Sequence, residues 1–384
     1  EMRFPHSLGL LYSAFTFFCG FKVNSGEYKL MGLAPYGTPS YVETIKKHIA
    51  QIEEDGAVTL NLDYFDFLGG LSMVNDRFAG LFGGARRTPE SRISRREMDL
   101  AASIQAFTEE VVLKMAHHVR KETGEKYLCL AGGVALNCVA NGKLYREKLF
   151  DDIWIQPAAG DAGSALGAAF AVQHGYHRLP RPPKDTLDRQ KGSYLGPSFT
   201  EREVEAYLFS KGCSYRKLEP SERAETVAEA LAAGAVAGFF NGRMEFGPRS
   251  LGARSILGDP RREDTQRTMN LRIKYRESFR PFAPAVLAED VETYFDYSGV
   301  SPYMLMVAPV LEERCIQRAA DLSGDDLLVA VNQVRSDIPA VTHWDYSARI
   351  QTVHAETNPL FHEVILRFKA KTGISVVVNT SFNV

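Results

Sequence analysis

Residues 126–149 read KYLCLAGGVALNCVANGKLYREKL. A short apolar run, Tyr127 to Leu130, reaches the pair Gly132–Gly133, and ANGKLYREKL (140–149) follows with helical spacing. Strand, glycine turn and helix in that order form the repeating unit of α/β architectures. The order returns at once. IWIQP (153–157) reads as a second strand, and GDAGSALGAAFAVQHG (160–175) as a turn running into a helix of small residues. Two such units in succession place the chain in the α/β class.

Outward from this core, residues 98–120 carry Ile104, Phe107, Val111, Val112 and Met115 at helical spacing. LGLLYSAFTFF (8–18) has the apolar density of a buried helix, while the glycines and proline of NSGEYKLMGLAPYG (24–37) predict a turn. Residues 178–197 concentrate proline and charge and mark a linker. A second α/β segment follows. It has helices at 200–211 and 222–233, the strand AVAGFF (235–240), and a glycine- and arginine-rich turn, NGRMEFGPRSLGARSIL (241–257). Strands MLMVAPV (304–310) and AVT (340–342), a helix at 358–370 and the strand SVVVNTSF (375–382) complete it. The expected division is 1–180, a linker at 181–197, and 198–384.

A chain of 384 residues exceeds what one hydrophobic core ordinarily supports. Hydrophobic residues make up 45% and charged residues 24%, the balance of a soluble globular enzyme. With a formal charge of −2 there is no global positive field to gather nucleic acid or an anionic membrane, and neither is expected as a partner. Cys19, Cys129, Cys138, Cys213 and Cys315 are scattered without a CxxC pair, which points to free thiols in a reducing, cytoplasmic setting. No apolar run reaches the ~18 residues that span a bilayer, and no secretory leader is visible. Both ends, EMRFPHSLGLLYSAFTFF and SVVVNTSFNV, read as the interior of a longer protein.

The turns carry the candidate chemistry. In LAGGVALN (130–137) the glycines permit close approach of a ligand, N–H groups can face phosphate oxygens, and Asn137 can cap the next helix or reach a ribose. A plain strand-to-helix turn fits the octamer equally well. Asp161 in GDAGSALGAA suits a metal or a metal–phosphate bridge, although by itself it reads more simply as a helix cap. Two such turns close together strengthen the case for a nucleotide cleft. Glu27 and Lys29 in GEYKLMGLA suit a ribose and a phosphate, or merely a surface ion pair. His117–His118, about 100° apart on a helix, and His174 with His177 beside the linker are weak metal candidates.

In the second segment cations gather on turns: Arg243, Arg249 and Arg254; Lys274, Arg276 and Arg280; Arg335 and Arg349. Arginine offers a rigid fork of donors to phosphate, so several converging on one place form a polyanion pocket. Ser381 and Asn383 stand at strand spacing and can face one site. Taken singly, each arginine is an ordinary surface residue. GxSxG, HExxH and Walker A motifs are absent from the sequence, so phosphoryl or adenylyl chemistry fits better than a covalent nucleophile.

EYKLMGLAPYG, LAGGVALNCVANGKL, QPAAGDAGSALGAA, EFGPRSLGARSILGDPR, ESFRPFAPAVL and VNTSFN together resemble the O-carbamoyltransferases of the nodulation and antibiotic-tailoring type, in order from about residue 7 to 383. The resemblance implies part of a Kae1-like domain of the actin/hexokinase/Hsp70 nucleotide-binding class, followed by a YrdC-like α/β domain. It implies that carbamoyl adenylate forms from ATP and carbamoyl phosphate. The carbamoyl group then passes to a hydroxyl of a sugar, aminoglycoside or other small acceptor.

By the same resemblance, Gly132, Gly133 and Asn137 hold the adenylate, with Glu27 and Lys29 bordering it. Asp161 ligates a divalent metal, iron(II) first and magnesium as the alternative. Arg249, Ser250, Arg254, Lys274, Arg276, Arg280, Arg335, His343, Arg349, Ser381 and Asn383 line the ATP and carbamoyl phosphate site. A hydroxyl acceptor and a second copy of the chain are the expected partners. Two departures stand out. The family's His-x-x-x-His pair, which belongs to a first lobe, has no counterpart here, so the first lobe is expected to be missing. The family's D-G-T-[AS]-R run reads Asp345-Tyr346-Ser347-Ala348-Arg349. Two other readings remain open: a relative acting on tRNA or a protein thiol through threonylcarbamoyl adenylate or hydrogenase maturation, and a nucleotide-binding module without catalysis.

Overall fold

The computed structural model describes residues 1–181, 188–274, 279–316, 331 and 333–382. The chain divides into two units, one of residues 1–156 with 319–333, the other of 157–318 with 334–384. Both combine helices with short strands, the mixed α/β class expected from the sequence.

The first unit is organised by the helix Arg95–Thr123, which runs beyond the expected 98–120 at both ends. Its limits are chemical. Glu97 reaches back to accept from Ser94 N at 2.9 Å and Ser94 Oγ at 2.6 Å, and Gly124 closes the other end with a left-handed φ of 67°. Leu100, Ile104, Phe107 and Val111 form its buried stripe. The helix Leu8–Phe18 contributes Phe15 and Phe18 to a cluster of edge-on and tilted rings with Phe78 and Phe82, ring centroids 4.8 to 6.2 Å apart. Full burial of such rings stabilises by roughly 1.5–3 kcal/mol each.

The stretch expected as a turn, 24–37, is instead mostly the helix Glu27–Leu33 with a tight turn at Ala34–Tyr36. Gly32 costs a helix about 1 kcal/mol, less than the complete burial of Leu30 and Leu33 returns. Pro35 then stops the helix.

Strands β1 (Ala50–Ile52) and β2 (Val58–Leu60) form an antiparallel hairpin. Strands β3 (Tyr127–Leu130) and β4 (Asp152–Ile155) pair in parallel, linked by the helix Cys138–Arg146. Leu128, Leu130 and Ile153 pack there with Ala116, Leu144 and Phe150. This is the strand, glycine turn and helix read at 126–149.

The second unit holds a mixed sheet of β5 (Ala237–Phe240), β6 (Arg254–Gly258), β7 (Ala283–Leu287), β8 (Met306–Pro309), β9 (Ser347–Val353) and β10 (Val376–Ser381), in spatial order β5-β6-β10-β7-β9-β8. Only β7 and β9 run parallel to each other among these neighbours. Phe361, Val364, Ile365 and Phe368 from the helix Pro359–Thr372, with Ala224, Ala228 and Leu231 from the helix Pro220–Ala232, pack onto Leu257, Ala285, Leu287, Val353 and Val377.

Two local expectations fail in this unit. The triplet at 340–342 is not a strand but the end of a tight turn, Pro339–Val341. Pro339 lacks an N–H for a ladder, and Thr342 Oγ1 turns inward to Ile338 O at 3.1 Å. The strand of this region is β9. The last residues of 241–257, expected as turn, form β6. Of the proline-rich stretch 178–197, residues 182–187 lie outside the described residues. Residues 188–197 are tied into the second unit, for instance by Phe246 N to Ser193 O at 2.7 Å and Gly196 N to Met244 O at 2.8 Å.

Candidate functional site

The arginine-rich loop 241–254 is held from within by a carboxylate. Glu245, 7% exposed, accepts through Oε1 from the N–H groups of Leu251 (2.7 Å), Ala253 (2.8 Å) and Arg254 (3.2 Å). Buried N–H groups left without partners are costly, so one buried acid fixes the backbone of Leu251–Arg254 through three N–H groups. The carbonyls of the same segment are held from the sheet and helix side. Leu251 O accepts from Tyr194 Oη at 2.7 Å and Gln351 Nε2 at 2.8 Å. Ser250 O accepts from Asn379 Nδ2 at 3.1 Å, and Gly252 O from Asn358 Nδ2 at 3.2 Å. Burial pushes the Tyr194 phenol up, which keeps it a donor at ordinary pH. Gly252 has a φ of 104°, and a Cβ there would lie 2.3 Å from the Phe361 ring, so glycine alone fits.

The arginines divide by task. Arg254 lies over the Phe240 ring, its guanidinium carbon 3.4 Å from the centroid, and donates to the carbonyls of Asn241, Gly242 and Ala253. Burial pushes its guanidinium down, and Glu245 opposes that shift. It staples its own loop. Ser250 Oγ donates to Arg254 O at 2.5 Å and lies 2.8 Å from Ser255 Oγ. Arg249, half-buried, immediately precedes this staple. Arg243, exposed, donates to Gly196 O at 3.2 Å.

Strand register brings other candidates to the same end of the sheet. Ser381 on β10 pairs with Ser255 on β6, beside Arg254. Lys274 Nζ donates to the carbonyl of Ser381 and lies 3.4 Å from its hydroxyl. Asn379 on β10 pairs with Ala283 at the start of β7, and Arg280 stands just before that strand. The β7–β9 register, Ala285 with Gln351, carries the start of β9, and with it Arg349, to this end.

Arg335 is 1% exposed and donates through Nε and Nη2 to Thr342 O at 3.3 and 3.2 Å. His343, 6% exposed, sits 3.5 Å from Asp345 Oδ1. Burial works to raise the Asp345 carboxyl, but His343 and Ser347 outweigh it and bring it to about 2. Tyr346, in place of the family's glycine, adopts a left-handed φ of 61°. Arg276 and Asn383 lie outside the described residues.

In the first unit, Gly132 has a φ of 99°, and a side chain at Gly132 or Gly133 would enter open space. The turn thus leaves its backbone approachable. Asn137, at the start of the helix Cys138–Arg146, caps it through Oδ1 to Ala140 N at 3.0 Å. Its amide also bonds Gln105, which receives Tyr12 Oη at 3.1 Å. Glu27 accepts from Ser13 Oγ at 2.7 Å, Asn24 N at 3.0 Å and Gly26 N at 3.2 Å. Lys29 stands 5.9 Å from the Phe21 ring centroid.

Asp161 is in the second unit, exposed, and makes no cap hydrogen bond to the helix Ala162–Phe170 that follows it. Among the described residues no three His, Cys, Asp or Glu side chains gather as metal ligands. A single carboxylate needs further ligands to hold a divalent metal.

Sequence reasoning missed Tyr194, Glu245, Gln351, Asn358 and Asn379. Glu245 carried a signal, a lone acid inside an arginine-rich stretch. The others act across 28 to 164 residues of sequence, a relation that no local pattern encodes.

Comparison with known proteins converges on one family. A carbamoyltransferase N-terminus model matches residues 1–170 and a carbamoyltransferase C-terminus model matches 228–384. An uncharacterized protein of Synechocystis is 56% identical over all of this chain and 63% of its own length. The nodulation protein NolNO of Sinorhizobium fredii is 38% identical over 99% of this chain and 51% of its own length. The nodulation protein NolO of Bradyrhizobium diazoefficiens is 37% identical over all of this chain and 64% of its own length. The chain therefore spans between about half and two thirds of these relatives. Matched at both its N- and C-terminal parts, and in order, the chain belongs to the carbamoyltransferase family.

Proposed function

We propose that this protein is an ATP-dependent O-carbamoyltransferase. The observation that carries the reading is the meeting of Lys274 with Ser381 beside the clamped arginine loop, at one end of the second unit's sheet. Adenylation moves negative charge from ATP onto pyrophosphate, and a loop held rigid by Glu245 presents cations without reorganising at that moment. In this reading residues 198–384 are YrdC-like: water releases phosphate from carbamoyl phosphate, an oxygen of the resulting carbamate attacks the α-phosphorus of ATP, and carbamoyl adenylate forms as pyrophosphate leaves. The open backbone at Gly132–Gly133, in a Kae1-like part, receives the adenylate. The acceptor's hydroxyl oxygen then attacks the carbamoyl carbon, its proton passes to water, and AMP leaves.

The test is turnover by the intact natural protein with ATP, carbamoyl phosphate and a panel of sugar and aminoglycoside acceptors, followed by mass spectrometry. Carbamoylated product that appears only with both co-substrates supports the reading. Adenylate formation from bicarbonate and threonine instead would support the threonylcarbamoyl alternative, and ATP binding with no turnover a passive nucleotide module.

A further inference from the structure

The first unit contains a cleft of about 640 Å³, and of its lining only Lys29 has a place in the carbamoyl chemistry above. That is within the ordinary range for small-molecule sites, about 300–1,000 Å³. Phe17, Phe21 and Phe67 contribute aromatic walls, and Lys22, Lys29 and Arg86 contribute cations against one carboxylate, Glu90. The sign of the excess is opposite to that of the whole chain, which is slightly acidic.

Arg86 is the informative residue. Its Nε donates to Phe17 O at 2.6 Å, and its guanidinium carbon lies 3.6 Å from the Phe17 ring centroid. Its terminal nitrogens have no hydrogen-bond acceptor among the described residues. The adjacent Arg87 stacks toward Phe21 and donates to Cys19 O at 2.7 Å and to Ser91 O, so backbone carbonyls rather than a carboxylate hold it. Burial, and then the charge of Arg87, push the Arg86 guanidinium down. Two neighbouring cations in a half-buried, aromatic-lined place are held at a cost that an anion would relieve.

We propose that this cleft binds a small ring-bearing phosphomonoester, its ring against the phenylalanines and its phosphate on Arg86 and Lys22. Guanidinium and ammonium donors match phosphate oxygens, and the aromatic faces exclude water around the ring. The assignment does not depend on carbamoyl transfer, because binding needs neither ATP nor turnover.

Calorimetric titration of the intact protein with phenyl phosphate tests it, with phenyl glucoside and benzoate as comparison ligands. Saturable binding of phenyl phosphate is expected, weakened about tenfold by Lys22→Met and by Arg86→Met, with Arg86→Lys retaining part of the affinity. Phenyl glucoside should bind at least about tenfold more weakly, and affinity should fall as salt rises. Lys22 is exposed, so its variant keeps the test valid if Arg86→Met fails to fold. No saturable binding of phenyl phosphate, equal affinity in the Lys22 variant, or equal affinity for phenyl glucoside would overturn the proposal. Stronger binding of benzoate than of phenyl phosphate would overturn the choice of phosphate.

Discussion

Lys274 and Ser381, 107 residues apart in sequence, meet through the Lys274 ammonium, which donates to the Ser381 carbonyl and lies 3.4 Å from its hydroxyl. The pair closes one end of the six-stranded sheet, next to the β6 start where Arg254 is pinned.

That position makes Lys274 a test of site against scaffold. Lys274→Ala should lower carbamoyl-phosphate-dependent pyrophosphate release by about 100-fold, the scale of a lost charge-stabilising donor. Because the ammonium is only half-buried, the thermal midpoint should move little. A variant with full activity would remove Lys274 from the site.

Glu245 should behave in the opposite way. Glu245→Ala strips three buried N–H groups of their acceptor, and an unsatisfied buried donor costs about 1–3 kcal/mol. Urea unfolding should show a loss of about 2–3 kcal/mol or more in the second unit. Glu245→Gln keeps an amide oxygen in place and should recover most of the stability. If Glu245→Ala were as stable as wild type, the clamp would not be what orders the loop.

The glycine turn of the first unit offers a contrast in which structure and ligand separate. A side chain at Gly133 meets nothing within 4 Å and needs no left-handed φ, so Gly133→Val should leave thermal stability nearly unchanged. If the turn receives the adenylate, the same change should weaken AMP binding by about tenfold or more, measured by calorimetry. At Gly132, with a φ of 99°, any side chain adds backbone strain of about 1–3 kcal/mol.

Acid sensitivity should trace to Asp345. Its folded value, about 2, lies below the ordinary 3.8, so the carboxylate contributes stability that is fully present above about pH 4 and is lost as pH falls toward 2. Replacing His343 with Leu removes the partner 3.5 Å away. An NMR titration of the Asp345 carboxyl carbon should then show its midpoint moving up, and acid unfolding should begin at higher pH. An unmoved midpoint would mean that Ser347 alone holds the carboxylate.

The fold was legible wherever local chemistry decides local structure. Gly132–Gly133 after an apolar run, the apolar stripe of 98–120 and the valines of 376–378 each read directly as the element they form. The failures at 24–37 and 340–342 share a cause. At 24–37 the burial of Leu30 and Leu33 outweighs the turn preference of glycine and proline, and at 340–342 the N–H that Pro339 lacks outweighs the strand preference of its neighbours. In the candidate site, cations on punctuated turns were visible one by one. What the chain alone does not disclose is division of labour. Arg254, expected as a phosphate ligand, is stacked on Phe240 and bound to its own loop's carbonyls, and the acid that orders that loop, Glu245, does so through backbone N–H groups six to nine residues away. Those relations depend on the register of β10 between β6 and β7, which only the assembled sheet sets.

The most direct measurement is pyrophosphate release from ATP by the intact natural protein, with and without carbamoyl phosphate and before any acceptor is added. Carbamoyl adenylate formation predicts release that requires carbamoyl phosphate and vanishes when it is omitted. Release that is indifferent to carbamoyl phosphate, or that requires bicarbonate and threonine in its place, would contradict the account.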